Sequence, residues 1–301
     1  MYGQNLISIE HLTTDEIVTL IEKAAEFKVS PNSQIAQGKI LATCFFEPST
    51  RTRLSFESAA LRLGAQVVSV SSAEGTSISK KESLNDSLRV ISNYSDCVAV
   101  RVPTKLTDDD LRGTSVPIIN AGDGSFEHPT QTLVDLFTLH QCFKKLQGLK
   151  IALVGDLFYG RTVHSLLRVA HLFDFEIFLL ASPGLGLSKE YEELIAMRKV
   201  KVNHCSSLEE ILPVVDAMYM TRMQKERGKS GSDFPEHTLT IELDLLNKYA
   251  HPGLKILHPL PRNEEIPTAI DDTPYAYYFE QAANGVYIRQ ALLASILGCS
   301  L

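Results

Sequence analysis

Five cysteines are spread over 301 residues: Cys44, Cys97, Cys142, Cys205 and Cys299. They are odd in number, scattered, and none forms C-x-x-C. That argues against a disulfide framework and against a zinc site within this chain, and suits reduced, mostly core thiols in a cytoplasmic protein. No apolar run reaches the roughly 18 residues that span a bilayer, and the first residues lack a signal-peptide pattern, so no membrane partner is expected. There is no G-x-x-x-x-G-K loop and no G-x-G-x-x-G turn, so neither a nucleotide nor a dinucleotide is implied. Internal repeats and low-complexity stretches are missing too. No Ser-His-Asp or Cys-His pairing is evident, and no covalent intermediate is expected. The formal net charge of −7 weighs against nucleic acid as a partner. Anionic substrates would need positive charge gathered locally against that acidic background.

The chain does have regular strand–helix alternation. With 44% hydrophobic and 22% charged residues it reads as globular, and its length suits two domains. Ile40–Phe45 is apolar and β-prone, a predicted buried strand. Phe56, Ala59, Ala60 and Leu63 follow at i, i+3, i+4 and i+7, a helix face, with Gly64 as a natural stop. Between them lies Glu47-Pro48-Ser49-Thr50-Arg51-Thr52-Arg53, with three hydroxyls and two guanidiniums at a strand-to-helix turn. One reading is an ordinary Ser/Thr cap with surface arginines. The other is a site for a phosphate or similar dianion, which two arginines bracketing Thr52 favour.

Thr13 to Glu16 carries a capping-box pattern at the start of a helix. Val67–Val70 is the next strand. Ser71 to Glu82 is a polar loop containing Gly75, Ser77, Lys80 and Lys81, readable as solvated surface or as a functional loop. Leu84, Leu88 and Ile91 mark a helix face. The strand from Cys97 ends at Arg101, either an edge charge or a cation aimed into the crevice at the strand ends. After a strand over Val116–Asn120 comes His128-Pro129-Thr130-Gln131. Pro129 suits a first helical turn, with His128 at the cap and Gln131 in that turn. Gln141 to Gly148 is polar, and a fresh alternation follows. Strands are predicted at Ile151–Asp156, Glu176–Ala181, Ala217–Thr221 and Leu254–Leu257, and helices after Arg161, Ser188 and Ser207. Arg161 projects from the turn after the first of these strands. Arg222 and Gln224 alternate directly after the third, leading into a charged loop with Lys225, Glu226, Arg227, Gly228, Gly231 and Pro235. His258-Pro259-Leu260-Pro261-Arg262 follows the fourth, and its prolines lack N–H groups but keep carbonyl acceptors. Phe279 to Leu297 is apolar at helical spacing. The expected fold is α/β: two α/β domains with mainly parallel sheets and the active site in the interdomain cleft.

Five stretches together resemble the transcarbamoylase family: Phe46–Arg53, His128–Gln131, Gly155–Ser165, Tyr219–Arg227 and His258–Pro261. The likeness runs from the first helix to the last. It implies transfer of the carbamoyl group of carbamoyl phosphate to the amine of L-aspartate, an early step of de novo pyrimidine biosynthesis, with no cofactor and no metal. It implies a carbamoyl-phosphate-binding domain over residues 1–130 plus 285–301 and an aspartate-binding domain over 131–284. Ser49, Thr50, Arg51, Thr52 and Arg101 would hold the phosphate. Thr52, Arg101 and His128 would polarise the carbamoyl oxygen. Gln131 and the carbonyls of Leu260 and Pro261 would orient the amino group. Arg161, Arg222, Gln224 and Lys81 would clamp the two carboxylates. Ser77 and Lys81 would reach into the neighbouring subunit of a homotrimer, and a zinc-containing regulatory chain is a further partner known in the family. The family's Arg-His-Pro is here Arg101-Val102-Pro103, so no role passes to Val102. An ornithine or other amino-acid transcarbamoylase is the alternative, which would show H-C-L-P where this chain has H-P-L-P and has no use for Arg222. A non-catalytic phosphate-binding scaffold is the other, against which Arg51, Arg101, His128 and Arg222 weigh.

Overall fold

Strand–helix alternation resolves into two parallel sheets in a computed structural model that describes residues 1–74, 76–224 and 238–299. Gly75 and the charged loop from Lys225 through Gly228, Gly231 and Pro235 lie outside the described residues. The chain divides into Met1–Phe137 with Ala283–Leu301, and Thr138–Ala282.

In the first unit, helix α1 (Thr14–Val29) opens on the expected capping box. The Glu16 N–H donates to Thr13 Oγ1 at 3.3 Å and the Thr13 N–H to Glu16 Oε2 at 2.9 Å. Then come β1 (Ile40–Phe45), α2 (Arg51–Arg62), β2 (Gln66–Val70), α3 (Leu84–Ser92), β3 (Cys97–Val102), the single turn α4 (Asp108–Leu111), β4 (Ile118–Asp123) and α5 (Pro129–Phe143). All pairings are parallel, in the order β2-β1-β3-β4. Strand residues alternate faces. Val98, Val100 and Val102 share one core cluster with Ala42, Cys44, Leu88, Leu106 and Ile118. Arg101 therefore falls on the opposite face. Val102 is buried core, which gives the departure from Arg-His-Pro a packing role.

The second unit is built from β5 (Lys150–Gly155), α6 (Arg161–Val169), β6 (Glu176–Ala181), α7 (Lys189–Met197), β7 (Lys201–His204), α8 (Leu208–Ile211), β8 (Ala217–Met220), α9 (Leu243–Tyr249) and β9 (Lys255–Leu257). Its sheet is also parallel, in the order β7-β6-β5-β8-β9. The last helix, α10 (Tyr278–Ile296), follows it. Ala152, Val154, Met218, Met220 and Ile256 pack with Ile211, Leu212, Ile241 and Leu246 as its core. Two elements here carry no sequence signal. β7 is a short strand at the sheet edge with no fully buried residue, and α9 buries only Leu246, so neither shows a stripe.

Each sheet has one place where the chain's connections leave in opposite directions: β1/β3 in the first, β5/β8 in the second. Parallel sheets bind ligands at the carboxyl ends of strands at such points. All five cysteines are free, and burial pushes the Cys44 and Cys97 thiols up to about 12, leaving them unreactive. Among the described residues no helix is long and apolar enough to cross a membrane.

At the end of β5 the backbone just past β8 comes close to Gly155. Gly155 has φ 111°, and a Cβ there would run into the Thr221 carbonyl. Thr221 Oγ1 in turn donates to the Val154 carbonyl at 3.0 Å. Gly155→Ala is expected to lower stability by about 2 kcal/mol or more, through positive-φ strain and parting of the strand ends. Urea unfolding of the two proteins tests this; an unchanged midpoint would refute the close approach.

Candidate active site

The turn after β1 does not form an ordinary cap. Thr50 occupies the cap position of α2 with helical φ and ψ of −81° and −59°, and its side chain makes no capping hydrogen bond. The Thr50 hydroxyl is left for other work than capping the leading N–H groups of α2. Ser49 is half-buried, Thr50 and Arg51 are exposed, and Thr52 is buried. Thr52 Oγ1 lies 3.3 Å from His128 Nε2, although the two are 76 residues apart. Pro129 opens α5, and the His128 carbonyl accepts the Gln131 N–H at 2.9 Å. From β3, Arg101 donates through Nη1 to Ser49 Oγ at 3.5 Å and through Nε to Glu47 Oε2 at 2.9 Å. The structure thus joins Ser49 to Arg101 and Thr52 to His128.

Two carboxylates that sequence reasoning passed over hold these groups. Glu47 fixes Arg101. Asp135, one turn along α5, accepts from Gln131 Nε2 at 2.9 Å. The signal for Asp135 was its i+4 spacing from Gln131. Arg53, the second guanidinium of the turn, is used otherwise: its Nε is 3.7 Å from Glu57 Oε1, which also accepts the Thr43 and Ser69 hydroxyls at 3.0 and 2.8 Å. Ser77 and Lys81 stand exposed on a short 3-10 turn, Ser77–Lys80, with Lys81 left-handed at φ 72°. Among the described residues neither joins the Ser49–Arg101 or Thr52–His128 pair.

In the second unit the organiser is Asp156, directly after β5. Its Oδ1 accepts the Tyr159 N–H at 2.9 Å and its Oδ2 the Gln224 N–H at 3.0 Å. Gln224 Nε2 donates to the Tyr159 carbonyl at 3.0 Å. One carboxylate thus ties the turn that carries Arg161 to the segment that carries Arg222 and Gln224. Gly160 makes room for the turn, since a Cβ there would sit 2.6 Å from the Asp156 carbonyl. Arg161 begins α6 and is largely buried. Arg222 and Gln224 are half-buried around a buried Met223, the alternation read from sequence, and Arg222 Nη1 donates to the Met223 carbonyl at 3.1 Å.

A third network shapes the turn after β9. The Leu260 N–H donates to His258 Nδ1 at 2.8 Å. An accepting Nδ1 leaves the proton on Nε2. That nitrogen donates to Glu265 Oε1 at 2.9 Å, and the Asn263 N–H donates to the same oxygen at 2.9 Å. The His258 N–H is taken by Gln281 Oε1 at 2.8 Å. Leu260, at φ 55°, precedes a cis bond to Pro261; Leu260 is half-buried and Pro261 exposed. Arg262 then forms a two-pronged ion pair with Asp271 and donates to Tyr278 Oη at 2.9 Å. These contacts hold the backbone whose carbonyls were expected to meet substrate.

Residues 4–141 match the family model of the aspartate/ornithine carbamoyltransferase carbamoyl-P binding domain, and residues 147–296 that of the Asp/Orn binding domain. The chain is 44% identical over 303 residues to the aspartate carbamoyltransferase catalytic subunit of Chromobacterium violaceum, covering 99% of each. Among solved structures it is similar to aspartate transcarbamoylase of Trypanosoma cruzi in complex with carbamoyl phosphate, at TM-score 0.91 and 35% identity over 98% of this chain and 97% of that one. The same enzyme in complex with aspartate and phosphate matches at TM-score 0.90, 35% identity and the same coverage.

The Glu265 carboxyl has a testable signature. Burial alone would raise its pKa, but the hydrogen bonds from His258 and the Asn263 N–H outweigh that and hold it below the usual range. A lowered carboxylate pKa contributes stability above the unfolded value, about 4.3, which is lost as pH falls through the folded value. Glu265→Gln should therefore flatten the acid limb of stability below about pH 4 while lowering stability at neutral pH. Denaturant midpoints between pH 3 and 7 check this; parallel pH curves for both proteins would refute it.

Proposed function

This chain belongs to the aspartate/ornithine carbamoyltransferase family, and from that premise we propose that it transfers the carbamoyl group of carbamoyl phosphate to the amine of L-aspartate. The products are N-carbamoyl-L-aspartate and phosphate. The observation that carries the aspartate reading is that Asp156 ties the turn before Arg161 to the segment that carries Arg222 and Gln224, at the β5/β8 point. Two cations there suit a dicarboxylate and oppose the cationic side chain of ornithine.

In this reading carbamoyl phosphate is held by residues 1–130 plus 285–301 and aspartate chiefly by 131–284. Ser49, Thr50, Arg51, Thr52 and Arg101 take the phosphate. The aspartate nitrogen attacks the carbamoyl carbon, and the carbonyl π electrons move onto oxygen. Thr52, Arg101 and His128 meet the resulting oxyanion, a role their 3.3 Å Thr52–His128 contact supports. The oxyanion's electrons then re-form the carbonyl as the C–O bond to phosphate breaks, that bond's electrons leave with phosphate, and phosphate accepts the proton of the attacking ammonium. Gln131 and the Leu260 and Pro261 carbonyls orient the carbamoyl amino group. Arg161, Arg222, Gln224 and Lys81 grip the two carboxylates. Rate enhancement comes from positioning and preorganised charge, with no covalent intermediate.

We place the reaction in the cytoplasm, as an early step of pyrimidine synthesis, in a homotrimer with shared sites. The exposure of Ser77 and Lys81 supports sharing, since it leaves both side chains open to a neighbouring subunit. A zinc-containing regulatory chain is a partner of the same proposal.

Arg222→Ala should lower kcat/KM for aspartate by about 3 kcal/mol with little change in carbamoyl-phosphate affinity. Steady-state kinetics with each substrate varied, and with ornithine as competing acceptor, decide it; equal losses for both substrates would refute the assignment.

Sharing has its own test. Arg51→Ala and Lys81→Ala homotrimers should each be inactive. A ring mixed from the two has one junction where an intact Arg51 meets an intact Lys81, so about one site in three should recover. Refolded hybrids no more active than either parent would reject the shared site.

A further inference from the structure

Thr130 of His128-Pro129-Thr130-Gln131 has no part in the chemistry above, yet it is buried beside His128 and bonded to a buried cation. We infer that Arg289 is a positioning residue of the carbamoyl half-site, acting through Thr130 on His128. The inference deepens the carbamoyl-transfer reading and, for its kinetic arm, rests on it.

Arg289 sits on α10, 3% exposed. Its guanidinium stacks 5.0 Å from the Phe56 ring of α2, the helix that carries Thr52 one turn earlier. Nη1 donates to the Gly285 carbonyl at 3.1 Å, in a space that a Cβ on Gly285 would fill. Nη2 donates to Thr130 Oγ1 at 3.4 Å, across 159 residues of sequence. That hydroxyl is in turn 3.4 Å from His128 Nδ1.

The donor inventory gives this chain of contacts a direction. A guanidinium only donates, so the Thr130 oxygen accepts from Arg289, and its one proton is left for His128 Nδ1 to accept. An Nδ1 that accepts keeps the imidazole proton on Nε2. Nε2 is the nitrogen 3.3 Å from Thr52, on the side where the carbamoyl oxygen is to be polarised. His128 is thereby presented as an Nε2–H donor. Burial lowers the Arg289 pKa to about 10, and the Asp135 charge works against that shift, so the guanidinium stays protonated at neutral pH. The same carboxylate accepts from Gln131 Nε2. One buried cation therefore orders the carbonyl-polarising donor. Apolar side chains would fill this volume without the cost of burying a charge.

The test uses Arg289→Met and Thr130→Val in the full chain. Nitrogen-15 spectra of histidine-labelled protein should show His128 as the Nε2–H tautomer in wild type and as a tautomer mixture in both variants. With carbamoyl phosphate and aspartate, kcat should fall about tenfold or more in each, with both KM values within about threefold. The double variant should lose no more than the worse single one, because both lesions cut one relay. An unchanged tautomer, additive losses, or a loss in KM alone would overturn the inference. Should Arg289→Met fail to fold, Thr130→Val, which removes one hydroxyl, decides by the same readings. A wild type unable to carbamoylate aspartate would defeat the functional reading alone, since the tautomer spectra would still judge the relay.

Discussion

Repulsion among gathered cations is the constraint on which the arrangement depends. A chain with net charge −7 must present guanidiniums to anionic ligands without letting them scatter. It does so by giving arginines partners that also fix their direction. Arg101 is held by Glu47, Arg53 by Glu57, and Arg262 by Asp271. The Asp135 charge favours the protonated Arg289. Each partner lowers the local repulsion and removes rotamer freedom that a ligand would otherwise have to freeze. Where the partner is also a motif neighbour, as Glu47 is, the signature carries its own counter-charge.

Sheet topology decides where those cations arrive. In both units the strand order reverses direction once, and the candidate residues lie at the carboxyl ends of the strands flanking that point: Ser49 to Thr52 after β1 and Arg101 near the end of β3, Arg161 and Arg222 after β5 and β8. Diverging connections leave the carboxyl ends of those strands uncovered, and the helix starts there offer N–H groups. Close approach is part of the same design. Gly155 lets the Thr221 carbonyl come where a side chain would stand, and Gln224, three residues on, bonds the turn before α6.

Around the candidate groups lies a set of residues that touch no proposed ligand yet determine direction. Asp156 fastens two segments, Glu265 and Gln281 hold the His258 turn, and Arg289 and Thr130 address His128. Such contacts matter because a transfer between two bound ligands depends on sub-ångström placement. They also involve buried polar groups, for which an unmade hydrogen bond is costly, so the networks hold one arrangement.

The amino-acid sequence by itself determined the elements and most of the candidate groups. The stripe of Phe56, Ala59 and Ala60, the capping box at Thr13, Pro129 at the head of α5 and the β-prone runs are local patterns, and local sterics and burial read them directly. The tertiary structure alone decided which groups meet. That Thr50 does not cap α2, that Arg53 turns to Glu57 while Arg101 turns to Ser49, and that Val102 is core follow from strand order and facing. Asp156 to Gln224, Thr52 to His128 and Thr130 to Arg289 span 68, 76 and 159 residues. Periodicity has a reach of a few residues, whereas these pairings exist only once parallel strands are ordered and helices packed. The edge strand β7 and the short α9 escaped for the converse reason: each buries too little for its own sequence to show it.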